Sequence, residues 1–231
     1  MNRDVIIACD FSTREQTLAF LNRFTQRKPY VKIGMELYYA VGPQIVRDIK
    51  ALGHPIFLDL KLHDIPNTVE KAMRVLSKLD VDMVNLHAAG TKDMMEAALR
   101  GLTRPDGSRP LLIAVTQLTS TSQQRMEQEL LIPHPLEEVV MQYAQNAQEA
   151  GLDGVVCSPL EVQAVHARCG DGFVTVTPGI RFADSQQDDQ RRITTPEMAK
   201  TLGSNYIVVG RPITAAPNPE EAYRRCLDAF I

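Results

Sequence analysis

The chain has 231 residues, 44% of them hydrophobic, and its Lys+Arg 25 against Asp+Glu 28 leave a formal charge of −3. No basic excess exists to neutralise a nucleic-acid backbone, and no apolar run approaches the roughly eighteen residues of a membrane span. Cys9, Cys157, Cys169 and Cys226 form no C-x-x-C pair and read as buried thiols in a reducing compartment. The start, MNRDVIIACD, lacks the apolar length of a secretory signal. A cytoplasmic protein with neither nucleic-acid nor membrane partners is expected.

Val5–Ala8 is the first of several short, nearly continuous apolar runs. Ser12-Thr-Arg-Glu15 then has the capping-box pattern of a helix start, with Leu18, Leu21 and Phe24 as its apolar stripe. A second strand is predicted at Tyr30–Gly34 and a helix at Gly42–Leu52, where Pro43 suits a first helical position. Strand Pro55–Leu60 precedes helix Asn67–Leu79, strand Met83–Ala88 precedes helix Thr91–Leu102, and strand Leu111–Leu118 precedes helix Leu136–Ala150. Strands Gly154–Cys157, Phe173–Val176 and Tyr206–Val209 alternate with helices Pro159–Cys169, Pro196–Leu202 and Pro219–Phe230.

Runs that are apolar on both faces suit parallel strands covered by helices. Eight strand–helix units of about 29 residues, without a linker, predict one α/β domain over residues 1–231, a (β/α)8 TIM barrel. An open doubly wound sheet uses the same alternation, usually with fewer strands. Thr119–Pro135 and Arg181–Thr195 interrupt the rhythm with polar sequence after the fifth and seventh strands. Both read as loops over a ligand at the C-terminal face, or, for the first, as a surface insertion.

Chemistry concentrates in Phe57-Leu-Asp59-Leu-Lys61-Leu-His-Asp64-Ile-Pro-Asn-Thr68. Residues two apart on a strand share a face, so Asp59 and Lys61 project together into the barrel while Leu58, Leu60 and Leu62 face the helices. Asp64 follows where Pro66 ends the strand. Charges on a core strand cost desolvation unless paired, which argues against a purely stabilising role. Asp10 closes the first strand and Lys32 lies in the second. Asp10, Lys32, Asp59 and Lys61 therefore form a neutral set at one mouth, net negative by one with Asp64, in which a lysine could act as proton donor. A lone Lys32 would read as a lysine with its stem in the apolar layer.

The eighth strand ends in Val208-Val209-Gly210-Arg211, and the seventh in Thr177-Pro178-Gly179-Ile180-Arg181. Glycine admits a ligand close to the backbone and arginine grips phosphate with a bidentate fork. Loops after strands seven and eight of such barrels commonly bind phosphate. Gln190, between them, could add its amide. Two ordinary surface turns are the alternative. The histidines show no metal-ligand spacing. His87, ending the fourth strand, could line the mouth but reads better as a hydrogen-bonded structural residue, the direction of His63 is left open by strand parity, and Thr119 and Ser120 could meet a flat polar ring.

DLKLHDIPNTV, with VKIGMEL, VNLHAAG, VTQLTS, DGVVCS, VTPGIR and VVGRPIT, resembles the bacterial orotidine 5′-phosphate decarboxylases, in order from Asp10 to about Thr214. The D-x-K-x-x-D core is shared with magnesium-dependent sugar-phosphate decarboxylases and hexulose-phosphate synthases. Those relatives resemble one another in an acidic metal ligand where this chain has Lys32. The resemblance implies loss of CO2 from orotidine 5′-monophosphate to give UMP, the last step of de novo pyrimidine synthesis, with no cofactor and no metal. Lys61 would protonate C6, Asp59 would sit by the departing carboxylate, and Lys32 and Asp64 would complete the charged network. Asp10 and Lys32 would hold the ribose hydroxyls, and Thr119 and Ser120 the pyrimidine edge. Arg181, Gln190, Gly210 and Arg211 would hold the phosphate, and Pro178 would contact the substrate. A homodimer is implied, with Asp64 and Thr68 reaching the partner's site. A magnesium-dependent sugar-phosphate enzyme on the same barrel, or a non-catalytic nucleotide-binding protein, would share much of this pattern.

Overall fold

The computed structural model describes residues 3–183 and 194–231. Strands β1 (Asp4–Ala8), β2 (Tyr30–Gly34), β3 (Ile56–Leu62), β4 (Met83–His87), β5 (Leu111–Val115), β6 (Gly154–Val156), β7 (Val174–Thr177) and β8 (Tyr206–Val209) pair in parallel and in chain order. The ladder closes where Asp4–Ile7 of β1 lie against Tyr206–Val209 of β8. The expected (β/α)8 barrel is therefore the fold, and the open sheet is excluded.

Period-two alternation explains why such apolar strands are needed. On β1, Val5 and Ile7 face the helices while Ile6 and Ala8 face the lumen. Tyr30, Phe57, Met83, Ile113, Val176 and Val208 fill the lumen with them, so the barrel is a packed core and not a pore. Val31, Ile33, Leu58, Val84, Leu86, Leu112 and Ala114 form the outer layer against the helices.

Those helices are α1 (Arg14–Leu21), α2 (Met35–Val41), α3 (Gln44–Ala51), α4 (Pro66–Leu76), α5 (Thr91–Leu102), α6 (Gln123–Glu129) and α7 (Leu136–Glu149). The series ends with α8 (Val162–Cys169), α9 (Pro196–Leu202), α10 (Arg211–Thr214) and α11 (Pro219–Phe230). Among the described residues no helix is long and apolar enough to cross a membrane.

Several boundaries differ from expectation for identifiable reasons. The Ser12 capping box is not used: extended Thr13 caps α1, accepting from Gln16 N at 3.2 Å, while Ser12 Oγ donates to Glu36 at 2.7 Å. The helix expected at Gly42–Leu52 is α3, and a further helix, α2, precedes it. Gly42 takes φ +73 and ends α2, and Pro43 caps α3 instead of occupying its first turn. The stretch 119–135 contains α6, capped by Ser122, and is not loop throughout. β5 ends at Val115, short of the expected Leu118, and both the backbone N and the hydroxyl of Thr116 donate to the Val156 carbonyl, at 3.2 and 3.0 Å.

Candidate active site

At the C-terminal end of the lumen the apolar filling gives way to charge. Along β2 the inward residues are Tyr30 and then Lys32; along β3 they are Phe57 and then Asp59; along β4 they are Met83 and then Asn85. Lys32 Nζ lies 3.0 Å from Asp10 Oδ1 and 3.3 Å from Asp59 Oδ2, and Lys61 Nζ lies 2.6 Å from Asp59 Oδ1. Alternating signs thus run Asp10–Lys32–Asp59–Lys61 across three adjacent strands, as the sequence predicts. Gly34 leaves room for this row: a Cβ there would stand 3.4 Å from both Asp10 Oδ1 and Lys32 Nζ.

The environment keeps the charges on. Burial alone would raise the Asp59 carboxyl, but Lys32, Lys61 and hydrogen bonds from Lys61 and Asn85 outweigh it and hold the group below its ordinary value. Burial likewise opposes the Lys32 ammonium, yet Asp59 and Asp10 leave it raised overall. Each partner stabilises the ionised form of the other. Lys32 therefore sits as a charged bridge between the two carboxylates.

Asp59 and Lys61 meet, though not by a regular pleat. Pairing between β3 and β4 runs Leu58 with Val84 and then Leu62 with Leu86, so β3 carries two extra residues. Lys61 takes φ +52 inside this bulge. Its backbone N donates to Asn85 Oδ1 at 2.8 Å, and Asn85 Nδ2 donates to Asp59 Oδ1 at 2.6 Å. Sequence reasoning missed Asn85. The available signal was an amide in the apolar VNLH run, in step with inward-facing Met83 and His87.

Beside the row is a cavity of about 190 Å³ lined by Lys32, Asp59, Lys61, Gln117, Thr119, Ser120 and Pro178, with Phe57 and Val208 beneath. Thr119 and Ser120 sit in a turn closed by Thr121 N donating to Leu118 O. A larger groove of about 920 Å³ lies between the C-terminal ends of α4 and α5, apart from the charged row.

Two expectations change. Asp64 does not join the row; its Oδ1 accepts from Ile65 N at 2.6 Å, and with Thr68 it lines an outer depression alongside Met35, Tyr39 and His63. The chain turns outward after the Lys61 bulge, which strand parity could not foresee. His87 packs its ring 5.7 Å from that of His63 instead of acting as a hydrogen-bonded prop, and burial, with His63 and Lys61, pulls its imidazole down against Asp59. Arg181 is 8% exposed and donates from Nη1 to the Ile180 carbonyl at 2.9 Å, outside the cavity lining. Gly210 and Arg211 follow β8, with exposed Arg211 opening α10. Gly179, at φ +83, shapes the turn after β7. Gln190 lies outside the described residues.

The profile of the Orotidine 5′-phosphate decarboxylase / HUMPS family matches residues 3–226. The chain belongs to this family. An orotidine 5′-phosphate decarboxylase of Geobacillus sp. (strain WCH70) is 55% identical over 228 residues, covering 97% of this chain and 95% of its own. One from Bacillus cereus (strain Q1) is 56% identical over 227 residues with the same coverage. The crystal structure of orotidine 5′-phosphate decarboxylase from Lactobacillus acidophilus superposes with a TM-score of 0.89 at 42% identity, covering 99% of each chain.

Proposed function

We propose that this chain decarboxylates orotidine 5′-monophosphate to UMP and CO2, with Lys61 as the proton donor. The observation that carries the reading is the Lys61 ammonium, 2.6 Å from Asp59, at a closed-barrel mouth beside a cavity with polar walls. Breaking the C6–carboxyl bond leaves its electron pair on C6, with no adjacent carbonyl to delocalise it. Preorganised positive charge stabilises that pair, and a proton passing from Lys61 Nζ to C6 completes UMP; solvent then reprotonates the amine. The reaction written this way needs no electron-sink cofactor. Asp59 sits beside the carboxylate, and Lys32 keeps Asp59 charged and oriented.

Asp10 and Lys32 face the ribose hydroxyls in this reading, and Thr119 and Ser120 the pyrimidine edge. Arg181, Gln190, Gly210 and Arg211 hold the phosphate in this reading, and Pro178 contacts the substrate from the cavity wall. Binding energy from that remote group orders loops and excludes water at the reacting carbon. A homodimer completes the site through Asp64 and Thr68. The outer depression supports this, because Ile65 (66% exposed) and Tyr39 (70%) flank it with apolar surface suited to a second copy. Four unbridged, buried thiols fit the reducing cytoplasm.

The deciding assay follows loss of orotate-ring absorbance from orotidine 5′-monophosphate with EDTA present. Turnover insensitive to chelation is expected. Turnover lost on chelation and regained with Mg2+ would place the chain with the metal-dependent relatives, and UMP binding without turnover would make it a nucleotide-binding protein.

A further inference from the structure

Asn85 is 1% exposed in the middle of β4, and both ends of its amide are engaged. A backbone N–H only donates, so the oxygen of the amide must face Lys61 N and the nitrogen must face Asp59. That orientation matches an Asp59 carboxylate that accepts. The bulge would otherwise bury the Lys61 N–H without a ladder carbonyl to receive it. It also holds Lys61 at φ +52, a region that disfavours a residue with a Cβ. One side chain therefore satisfies the backbone distortion that turns Lys61 back toward the lumen, and aims the carboxylate that Lys61 meets.

We infer that Asn85 is a positioning residue for the decarboxylation proposed above. It braces the Lys61 bulge at one end and fixes the Asp59 carboxylate at the other, so that the ammonium and carboxylate converge on one point in the chamber. The inference rests on that functional reading. Asparagine suits the place because it donates and accepts at once: an aliphatic residue does neither, and an ionised aspartate cannot donate.

The test compares wild type, Asn85→Ala and Asn85→Asp for kcat, KM and UMP affinity between about pH 5 and 9. Asn85→Ala should lose about a hundredfold in kcat, the usual cost of removing one oriented donor, with KM and UMP affinity little changed. Asn85→Asp keeps the acceptor for Lys61 N but sets a second carboxylate against Asp59, so the pair shares a proton. Its kcat should fall relative to wild type as pH rises and recover toward acid. His63 and His87 are common to both proteins and cancel in the ratio, as do Lys32 and Asp10. An inactive wild type would overturn the functional reading itself. An active wild type, with Asn85→Ala at full kcat or Asn85→Asp parallel to wild type across pH, would overturn the role of Asn85 alone. Should Asn85→Ala fail to fold, the pH profile of the near-isosteric Asn85→Asp decides.

Discussion

Lys61→Ala removes the ammonium on which the proposed chemistry depends. Asp59 keeps Lys32 at 3.3 Å and Asn85 at 2.6 Å, so its charge remains compensated. Breaking a buried ion pair costs roughly 3–5 kcal/mol when the remaining charge is abandoned, and two surviving partners place this variant at or below the low end. The effect on rate is larger. A unit charge about 4 Å from the ammonium gains roughly 4 kcal/mol at an effective dielectric near 20, which is about 10³ in rate. Losing the positioned acid adds about 10²–10⁴. Turnover should therefore fall by about 10⁵ or more. CO2 release, far-ultraviolet circular dichroism and UMP calorimetry on the same preparation separate chemistry from folding and binding. A folded Lys61→Ala variant that binds UMP and releases CO2 within about tenfold of wild type would refute the argument, since about 1.4 kcal/mol is far less than the charge should contribute.

Other outcomes follow from the same geometry. Arg211→Ala should lower kcat/KM severely and regain part of it with free phosphite dianion; unchanged kinetics would remove the loop after β8 from substrate binding. Asp59 has a folded-state value below its unfolded one, so the stability it contributes is present above the ordinary carboxyl value of 3.8 and is lost as pH falls through the lower folded value. Melting temperatures of Asp59→Asn should thus decline less steeply below pH 3.8 than those of wild type, and equal slopes would contradict the charged assignment. Lys32 is shifted the other way, so its contribution is full below 10.5 and is lost as pH rises through its raised folded value. Mixing inactive Lys61→Ala with inactive Asp64→Ala should restore about a quarter of wild-type activity, because half of randomly assorted dimers carry one intact site. No recovery on mixing would mean that Asp64 does not serve a partner.

The charged row was legible because charges inside a continuous apolar strand have few structural uses; a period of two predicts Asp59 and Lys61 on one face, and the bulge at Lys61 brings them together by another route. Asp10 and Lys32 joined them through strand order alone. Asn85 escaped notice since its importance depends on Lys61 N, a backbone group on the neighbouring strand. The outward course of Asp64 escaped notice for a related reason: it depends on where the pleat breaks. Thr13 displaced Ser12 as the cap because Glu36, distant in sequence, engages the Ser12 hydroxyl.

Eight repeated units whose strands must be covered on both faces narrowed the fold to a barrel or an open sheet, and the residue types at the strand ends set the chemical character of the mouth; only the pairing of β1 with β8 excluded the open sheet. Tertiary structure decided which of those charges touch, which way Asp64 and Arg181 turn, and how Lys61 is held. Periodicity constrains a residue's face on its own strand, whereas contact and orientation depend on register between strands, which is set by groups far apart along the chain.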